Sequence, residues 1–273
     1  MRHSLLAAAI FASTLSATTF AEEATTAPAE PEHKYEASAE LGFLYKTGNT
    51  ESGDIKTGLD LDHEFGRWTS KFRFDLLYKK TEQEVTDSEG NTSDEFETSD
   101  QKWSIAFQTN YALADEKKDY IYGSVWHEDD RFSSFEHQSS FSAGWGKRWY
   151  ETEQASFFAD IGPGWKRDVI KEITDGDGNV TTEGETKDTF IVQAQALYKR
   201  QLNEHVEFKQ FFSAKQALES GENSTYKSET SITTKLIQTL QLKFAFIVDH
   251  NTEVSEDKDN TDTQTAVTLV YSF

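Results

Sequence analysis

Gln264-Thr265-Ala266-Val267-Thr268-Leu269-Val270-Tyr271-Ser272-Phe273 closes the sequence. Successive side chains of an extended strand point to opposite faces. Thr265, Val267, Leu269, Tyr271 and Phe273 therefore share one face, and Gln264, Ala266, Thr268, Val270 and Ser272 share the other. The apolar face runs to the final carboxylate, where soluble chains are normally polar and frayed. A last strand that closes a barrel inside a membrane has this pattern. An amphipathic edge strand of a soluble sheet is the alternative, and the rest of the chain decides between them.

The opposite end agrees. Met1-Arg2-His3 is a short basic head, Ser4 to Phe20 is mostly small and apolar, and Thr19-Phe20-Ala21 supplies small residues at a cleavage position. This predicts a secretory signal peptide over 1–21. A membrane anchor is the weaker reading, because the segment is short and a polar stretch follows it. No later window is apolar for long enough to form a spanning helix, so a membrane-spanning form of this chain must cross with strands. Residues 22–34, rich in Ala, Thr, Pro and Glu, predict a disordered periplasmic lead, and the barrel is expected over 35–273.

The chain has no cysteine, so either a packed core or a closed ladder of backbone hydrogen bonds must hold it together. The mean hydropathy of -0.69 suits a soluble protein. It also suits a barrel, whose lipid face uses only every second residue. The formal net charge is -21. Such a charge argues against nucleic acid or an anionic bilayer surface as a partner. Most of the acid lies between the alternating segments.

Those segments repeat along the chain. Tyr35, Ala37, Ala39, Leu41, Phe43 and Tyr45 oppose Glu36, Ser38, Glu40 and Gly42. Ile55, Thr57, Leu59 and Leu61 oppose Lys56, Asp60 and Asp62, and Trp68, Phe72, Phe74, Leu76 and Tyr78 oppose Lys71, Arg73 and Asp75. Similar alternation follows Trp103, Phe141, Phe157, Phe190, Val206, Tyr226 and Leu240. The exception is Tyr120–Glu128, where both parities carry apolar residues. Pro163 predicts a bulge in its strand, since it cannot donate to a ladder. The count is twelve segments of about ten residues, the length of a tilted strand that crosses a bilayer. Turns after even segments are short, as at Gly66-Arg67, Asp115–Lys118 and Leu202-Asn203-Glu204. Those after odd segments tend to be longer and acidic, as at Thr81–Asp100, Lys171–Lys187 and Asn251–Asp262. Trp68, Tyr111, Trp149 and Tyr198 fall near the short turns, and Tyr45, Tyr78, Trp103, Trp165 and Tyr226 near the long loops, as two aromatic girdles would. The predicted fold is an all-β, antiparallel, twelve-stranded transmembrane barrel in a bacterial outer membrane. A lipocalin-like barrel with an apolar interior and a β-sandwich are the soluble alternatives.

The predicted inward face is polar, with Glu40, Lys56, Asp60, Asp62, Arg73, Asp160, Lys166, Lys209 and Lys243 as candidate lumen-lining residues. Two roles follow: a lumen filled by ion pairs, or a narrow pore for ions and small hydrophilic solutes. The glycines at 42, 58, 144, 146, 162 and 164 leave room inside or mark bulges. No enzyme, cofactor or metal is expected. Asp175-x-Asp177-x-Asn179 starts like a calcium loop, but Val180 stands where glycine is needed, and a solvated hairpin tip is the plainer reading. Acidic loops bridged by divalent ions to lipopolysaccharide, and an enzyme or adhesin-like surface built on His127, Asp129, Asp130 and His137, are the alternatives. His137-Gln138-Ser139 has the spacing of one lipid A deacylase family, but Glu151 falls in a turn at the other end of the barrel.

Two resemblances add to this reading. The ending, with Tyr271 and Phe273, resembles the assembly signal of bacterial outer-membrane barrels, which implies insertion by the barrel-assembly machinery into a membrane of lipid and lipopolysaccharide. Ala39–Ser52 (AELGFLYKTGNTES), Asp130-Arg131-Phe132, the Gly-x-Gly pairs at 144/146 and 162/164, and Tyr271-Ser272-Phe273 resemble the family of salt-induced outer-membrane proteins, a domain of unknown function. That resemblance covers most of 35–273. It implies an integral outer-membrane barrel without an established activity or ligand.

Overall fold

The structure is a computed structural model, and it describes residues 33–46, 52–86, 92–131, 133–174, 180–254 and 259–273. The predicted signal peptide and residues 22–32 of the lead lie outside the described residues. The strands are β1 (His33–Lys46), β2 (Ser52–Phe65), β3 (Trp68–Thr86), β4 (Thr92–Ala112), β5 (Asp119–Asp130), β6 (Phe135–Glu151) and β7 (Ala155–Ile170). They continue with β8 (Ile173–Thr174), β9 (Val180–Thr182), β10 (Glu185–Asn203), β11 (Val206–Ala217), β12 (Thr225–Lys235), β13 (Leu240–Asn251) and β14 (Thr261–Ser272). All but β8 and β9 form one closed barrel of twelve antiparallel strands, each beside its sequence neighbour. β8 and β9 pair separately as a small hairpin between β7 and β10. Closure comes from β14 pairing with β1 over Ser38↔Ser272 to Leu41↔Leu269.

The alternation read from the sequence sets the two faces. Leu41 is 61% exposed, Val267 53% and Phe141 53%, while their neighbours Glu40, Thr268 and Ser142 are buried. Apolar side chains thus cover the outside and polar ones fill the inside. Closure of the barrel excludes a β-sandwich, and the outward apolar face excludes a lipocalin-like interior. β5, whose faces the sequence left open, places Ile121 and Val125 outward and Tyr120 and Tyr122 inward. Register explains this. Tyr120 lies opposite Gly146 and Tyr122 opposite Gly144, so bulky inward rings meet positions without side chains.

At one end the strands are joined by short turns. Gly66 adopts a positive φ of 58°, which only a residue without Cβ accepts freely, and so permits the tight β2–β3 turn. Arg67 of that turn pairs with Asp115 of the β4–β5 turn. Trp68 packs on Tyr111 at 5.0 Å and Tyr271 on Phe273 at 5.5 Å, which forms part of the aromatic girdle at this end. The Phe273 amide donates to the Ala37 carbonyl at 3.1 Å, fastening the last residue to the first strand.

Four sequence expectations are corrected. The polar stretch Thr81–Asp100 is mostly ladder: β3 and β4 pair from Lys80↔Thr98 out to Thr86↔Thr92. Paired strands satisfy each other's backbone groups without needing an apolar face. Of Lys171–Lys187, Ile173–Thr174 and Val180–Thr182 form the small hairpin and Glu185 already belongs to β10. The calcium-like Asp175, Asp177 and Asn179 fall at 175–179, outside the described residues. Pro163 makes no bulge toward β10, where the register runs unbroken from Trp165 to Ile161. It falls where the β6 ladder is interrupted between Ser142↔Gly164 and Trp145↔Ile161, so a missing amide proton disturbs nothing. His33 and Lys34, expected in the lead, begin β1, because the His33 ring stacks on Phe65 of the facing strand at 4.1 Å.

At Gly144, Gly162 and Gly164 the backbones of β6 and β7 touch. A Cβ on Gly144 would lie 2.2 Å from the Ile161 carbonyl oxygen and 2.6 Å from Gly162 Cα, while one on Gly123 would meet nothing within 4 Å. Gly144→Ala and Gly162→Ala are therefore expected to destabilise the barrel by about 1–3 kcal/mol, the usual cost of overpacking. Gly123→Ala is expected to be neutral. Denaturant midpoints of the refolded barrels, read by tryptophan fluorescence, check the contrast.

Candidate functional site

Inside the barrel the charged residues gather in belts. The middle belt is built on Arg73 (β3) and Glu229 (β12), which come from almost opposite walls and meet at 3.8 Å. Arg73 Nε also donates to Asp60 at 2.7 Å. Lys243 of β13 joins Glu40 at 2.8 Å and Glu229 at 3.2 Å. Asp62 and Lys71 pair at 3.4 Å and remain 37% and 41% exposed, so solvent reaches this part of the interior. Lys56 and Lys209 sit on the same inward face, with no carboxylate within 4 Å among the described residues. The structure thus joins five of the nine candidate residues, Glu40, Asp60, Asp62, Arg73 and Lys243, to ion pairs of this belt.

Glu229, the hub of the belt, was not singled out from the sequence. Its signal was present: it is the one carboxylate in β12. Its importance comes from which strands face each other across the lumen, and local alternation carries no such information.

Nearer the long loops a second brace crosses the barrel. Lys102 of β4 reaches Glu128 at 3.0 Å, Asp130 at 3.8 Å and Asp249 of β13 at 3.9 Å. Lys227 holds the same Asp249 at 3.4 Å. The Lys215 ammonium lies over the Trp126 ring at 3.3 Å, a cation–π contact between β11 and β5. At the mouth, fully buried Lys166 donates to Asp168 at 2.5 Å and to the Asn223 carbonyl at 2.6 Å. Asn223 in turn donates to Asp168 and Asn251, and the Glu253 amide donates to its side-chain oxygen. The β11–β12 loop is thereby folded into the mouth and tied to both β7 and the β13–β14 loop. A cavity of about 170 Å³ remains beside it, lined in part by Ser134, Asp168, Lys187 and Glu253.

The part of β4–β7 toward the short turns is different. Asp160 lies close to neutral donors: Gln108 at 3.1 Å and the Tyr120 hydroxyl at 3.4 Å, both to Oδ2. Ser124 and Ser142 bond at 2.7 Å, and Gln193 donates to Ser124 at 3.2 Å.

The proposed surface cluster is divided by strand alternation. His127 and His137 face outward, with rings 5.7 Å apart, and Asp129 shares their parity. Asp130 faces inward toward Lys102. His127 Nδ1 and Ser139 Oγ are 2.8 Å apart, whereas Glu151 ends β6 at the short-turn end, where Arg148 binds it.

Comparison with known proteins gives family but no activity. The uncharacterized protein YdiY of Escherichia coli (strain K12) is 25% identical over 247 residues, which cover 90% of this chain and 86% of that protein. Among solved structures, the NanC porin aligns with a TM-score of 0.46 and 11% identity over 87% of this chain and 98% of its own. The translocator domain of the autotransporter NalP from Neisseria meningitidis aligns at 0.47 and 9%, over 91% and 90%. The matching family description assigns no function and does not mention salt. With residues 39–273 matched, the chain belongs to the family described as Protein of unknown function, DUF481.

Proposed function

We propose that this protein is an integral outer-membrane barrel whose lumen is a narrow, cross-braced pathway for ions and small hydrophilic solutes. Membrane residence is supported by the outward apolar band. Side chains such as Leu41, Phe141, Ile161, Phe244 and Val267 stand exposed around the barrel, far beyond the scattered apolar residues a soluble surface carries. A bilayer removes that exposure, and a closed ladder leaves no strand edge in lipid. Membrane lipids and lipopolysaccharide are then the partners of the outer face.

The observation that carries the narrow-pathway reading is the pair of braces across the lumen, Arg73–Glu229 and Lys102–Asp249. A wide porin keeps opposite walls apart. Here they touch, yet Lys71, Asp62 and Lys227 keep more than a third of their side-chain surface. The interior is both bridged and wet. A catalytic reading has less support, because the His/Asp cluster is split between faces and Glu151 lies at the far end of the barrel.

Single-channel recording in planar bilayers at low and high salt tests the pathway. Small, stable steps are expected from the unmodified barrel. Arg73→Gln combined with Glu229→Gln and Asp60→Asn removes the middle brace together with the second carboxylate that Arg73 holds, while Lys243 keeps Glu40, so no carboxylate of the belt is left unpaired. Steps several-fold larger are expected from it. Silence from a verified, heat-modifiable barrel would remove the pathway and leave a structural role.

The C-terminal aromatics carry a second expectation. Tyr271 and Phe273 project outward, in tilted ring contact and about half or more exposed, where the assembly machinery can read them. Phe273→Ala is expected to lower the amount of heat-modifiable barrel in the outer-membrane fraction several-fold. The refolded protein is expected to keep its stability within about 1 kcal/mol, since the side chain lies at the surface.

A further inference from the structure

We propose that Asp160 holds a monovalent cation inside the lumen, with the Tyr122 hydroxyl as a second ligand. The inward carboxylates elsewhere are mostly neutralised by the protein itself. Glu40, Asp60, Asp62, Asp168, Glu229 and Asp249 each have a lysine or arginine within 4 Å. Asp54, Glu64, Asp75 and Glu207 do not; each is half-buried as a residue, although Asp54 Oδ1 is also a buried oxygen without a partner. Asp160 is 9% exposed and has no cationic side chain within that distance among the described residues. Among the basic residues toward its end of the barrel, Arg148 is engaged by Glu151 at 2.9 Å and lies over Phe158 at 5.6 Å, Lys71 pairs with Asp62, and Lys199 lies four residues nearer the turn, opposite Ser156.

The hydrogen bonds are one-sided. Gln108 and Tyr120 both donate to Oδ2, and Oδ1 is buried with no partner. The Tyr122 hydroxyl, on a residue 4% exposed, is also buried without a partner. Two orphan oxygens, one of them charged, face the same lumen sector. A buried polar atom left unpaired is costly, and a buried unpaired charge more so. Water can bond to Oδ1 but cannot neutralise it. A cation does both, and one carboxylate with neutral oxygens suits a single positive charge.

The glycines fit this picture. Tyr120 packs where a Cβ on Gly146 would lie 2.3 Å from its ring, so the ring lies against the β6 wall with its hydroxyl beside Asp160. Asp160 thereby becomes a fixed negative point in a neutral stretch of the pathway, distinct from the self-compensated belts. Its consequence for transport rests on the channel reading above, whereas binding itself does not.

The test titrates the purified barrel in detergent micelles with potassium chloride against choline chloride at constant ionic strength, and follows tyrosine near-ultraviolet circular dichroism. A saturable potassium response is expected. It should be lost in Asp160→Asn and weakened several-fold in Tyr122→Phe, with heat-modifiability confirming that both variants fold. An equal response in Asp160→Asn, or none in the unmodified barrel, would overturn the site; the latter is the outcome if Asp160 holds a proton. In bilayers the zero-current potential of Asp160→Asn under a salt gradient should move toward that of chloride. An unchanged potential would count against the site. A silent barrel would sink the channel reading alone, and the micelle titration would still decide the cation.

Discussion

Closure of the backbone ladder is the constraint on which everything else in this barrel depends. A bilayer core offers no water to an exposed N–H or C=O, so each strand must find partners on both sides. Eleven of the barrel ladders join neighbours in sequence and follow from the meander itself. The twelfth, β1 with β14, joins the two ends of the fold, and it is short: Ser38–Leu41 against Leu269–Ser272. The Phe273 amide bond to Ala37 extends it by one link at the turn end. The alternation of the last strand therefore has two tasks. Its outward residues complete the apolar band, and its backbone shuts the barrel.

Once the outside must be apolar, the inside inherits all the polar chemistry, and the lumen solves this in two ways. On the β1–β3 and β11–β13 walls, charges of both signs meet at 2.7–3.8 Å in a belt around Arg73 and Glu229. Arg73 and Asp60 keep part of their contact with solvent, whereas Glu40, Glu229 and Lys243 are buried and offset their desolvation through one another's charge. On the β4–β7 walls toward the short turns, around Tyr120 and Tyr122, bulk largely replaces charge. Tyr120 and Tyr122 fill the space, opposite Gly146 and Gly144 of β6. The Gly144/Gly146 pair thus complements inward aromatic rings, while Gly144, Gly162 and Gly164 allow close backbone contact between β6 and β7.

Most of the fold was legible because a barrel strand advertises itself with period two. The inward and outward sets of β1, β2, β3, β13 and β14 are those that alternation gives. The reading stopped at β5, where Tyr120 and Tyr122 put apolar bulk on the polar side. Local pattern has no means of knowing that the neighbouring strand carries Gly144 and Gly146 in register. It also stopped at Thr81–Asp100, where a hairpin is held by backbone pairing rather than by an apolar face. In the site, inward placement of Asp60 or Lys243 follows from parity. The joining of Arg73 to Glu229 does not, because their sequence separation is large and their strands are near-opposite only once the strand number and the stagger of the closed barrel are fixed. The Lys166 tie to Asn223 is hidden for the same reason, since a loop folded into a mouth leaves no periodic trace.

The asymmetry between the two halves of the lumen bears on what the interior can be for. If its polar groups served only to fill a structural barrel, each inward carboxylate would be best placed beside a cation, as in the Arg73–Glu229 belt. Asp160 departs from that arrangement: a buried carboxylate among neutral donors, with one oxygen of its own and the Tyr122 hydroxyl left without partners. Removing the charge would be the simplest way to stabilise such a wall, because an asparagine would keep the bonding shape without the desolvation cost. That the sequence carries aspartate there points to use of the charge. Braces across the lumen, a loop tied into the mouth and a buried carboxylate held only by neutral donors are parts a selective pathway would use, and a purely mechanical barrel has need only of the first.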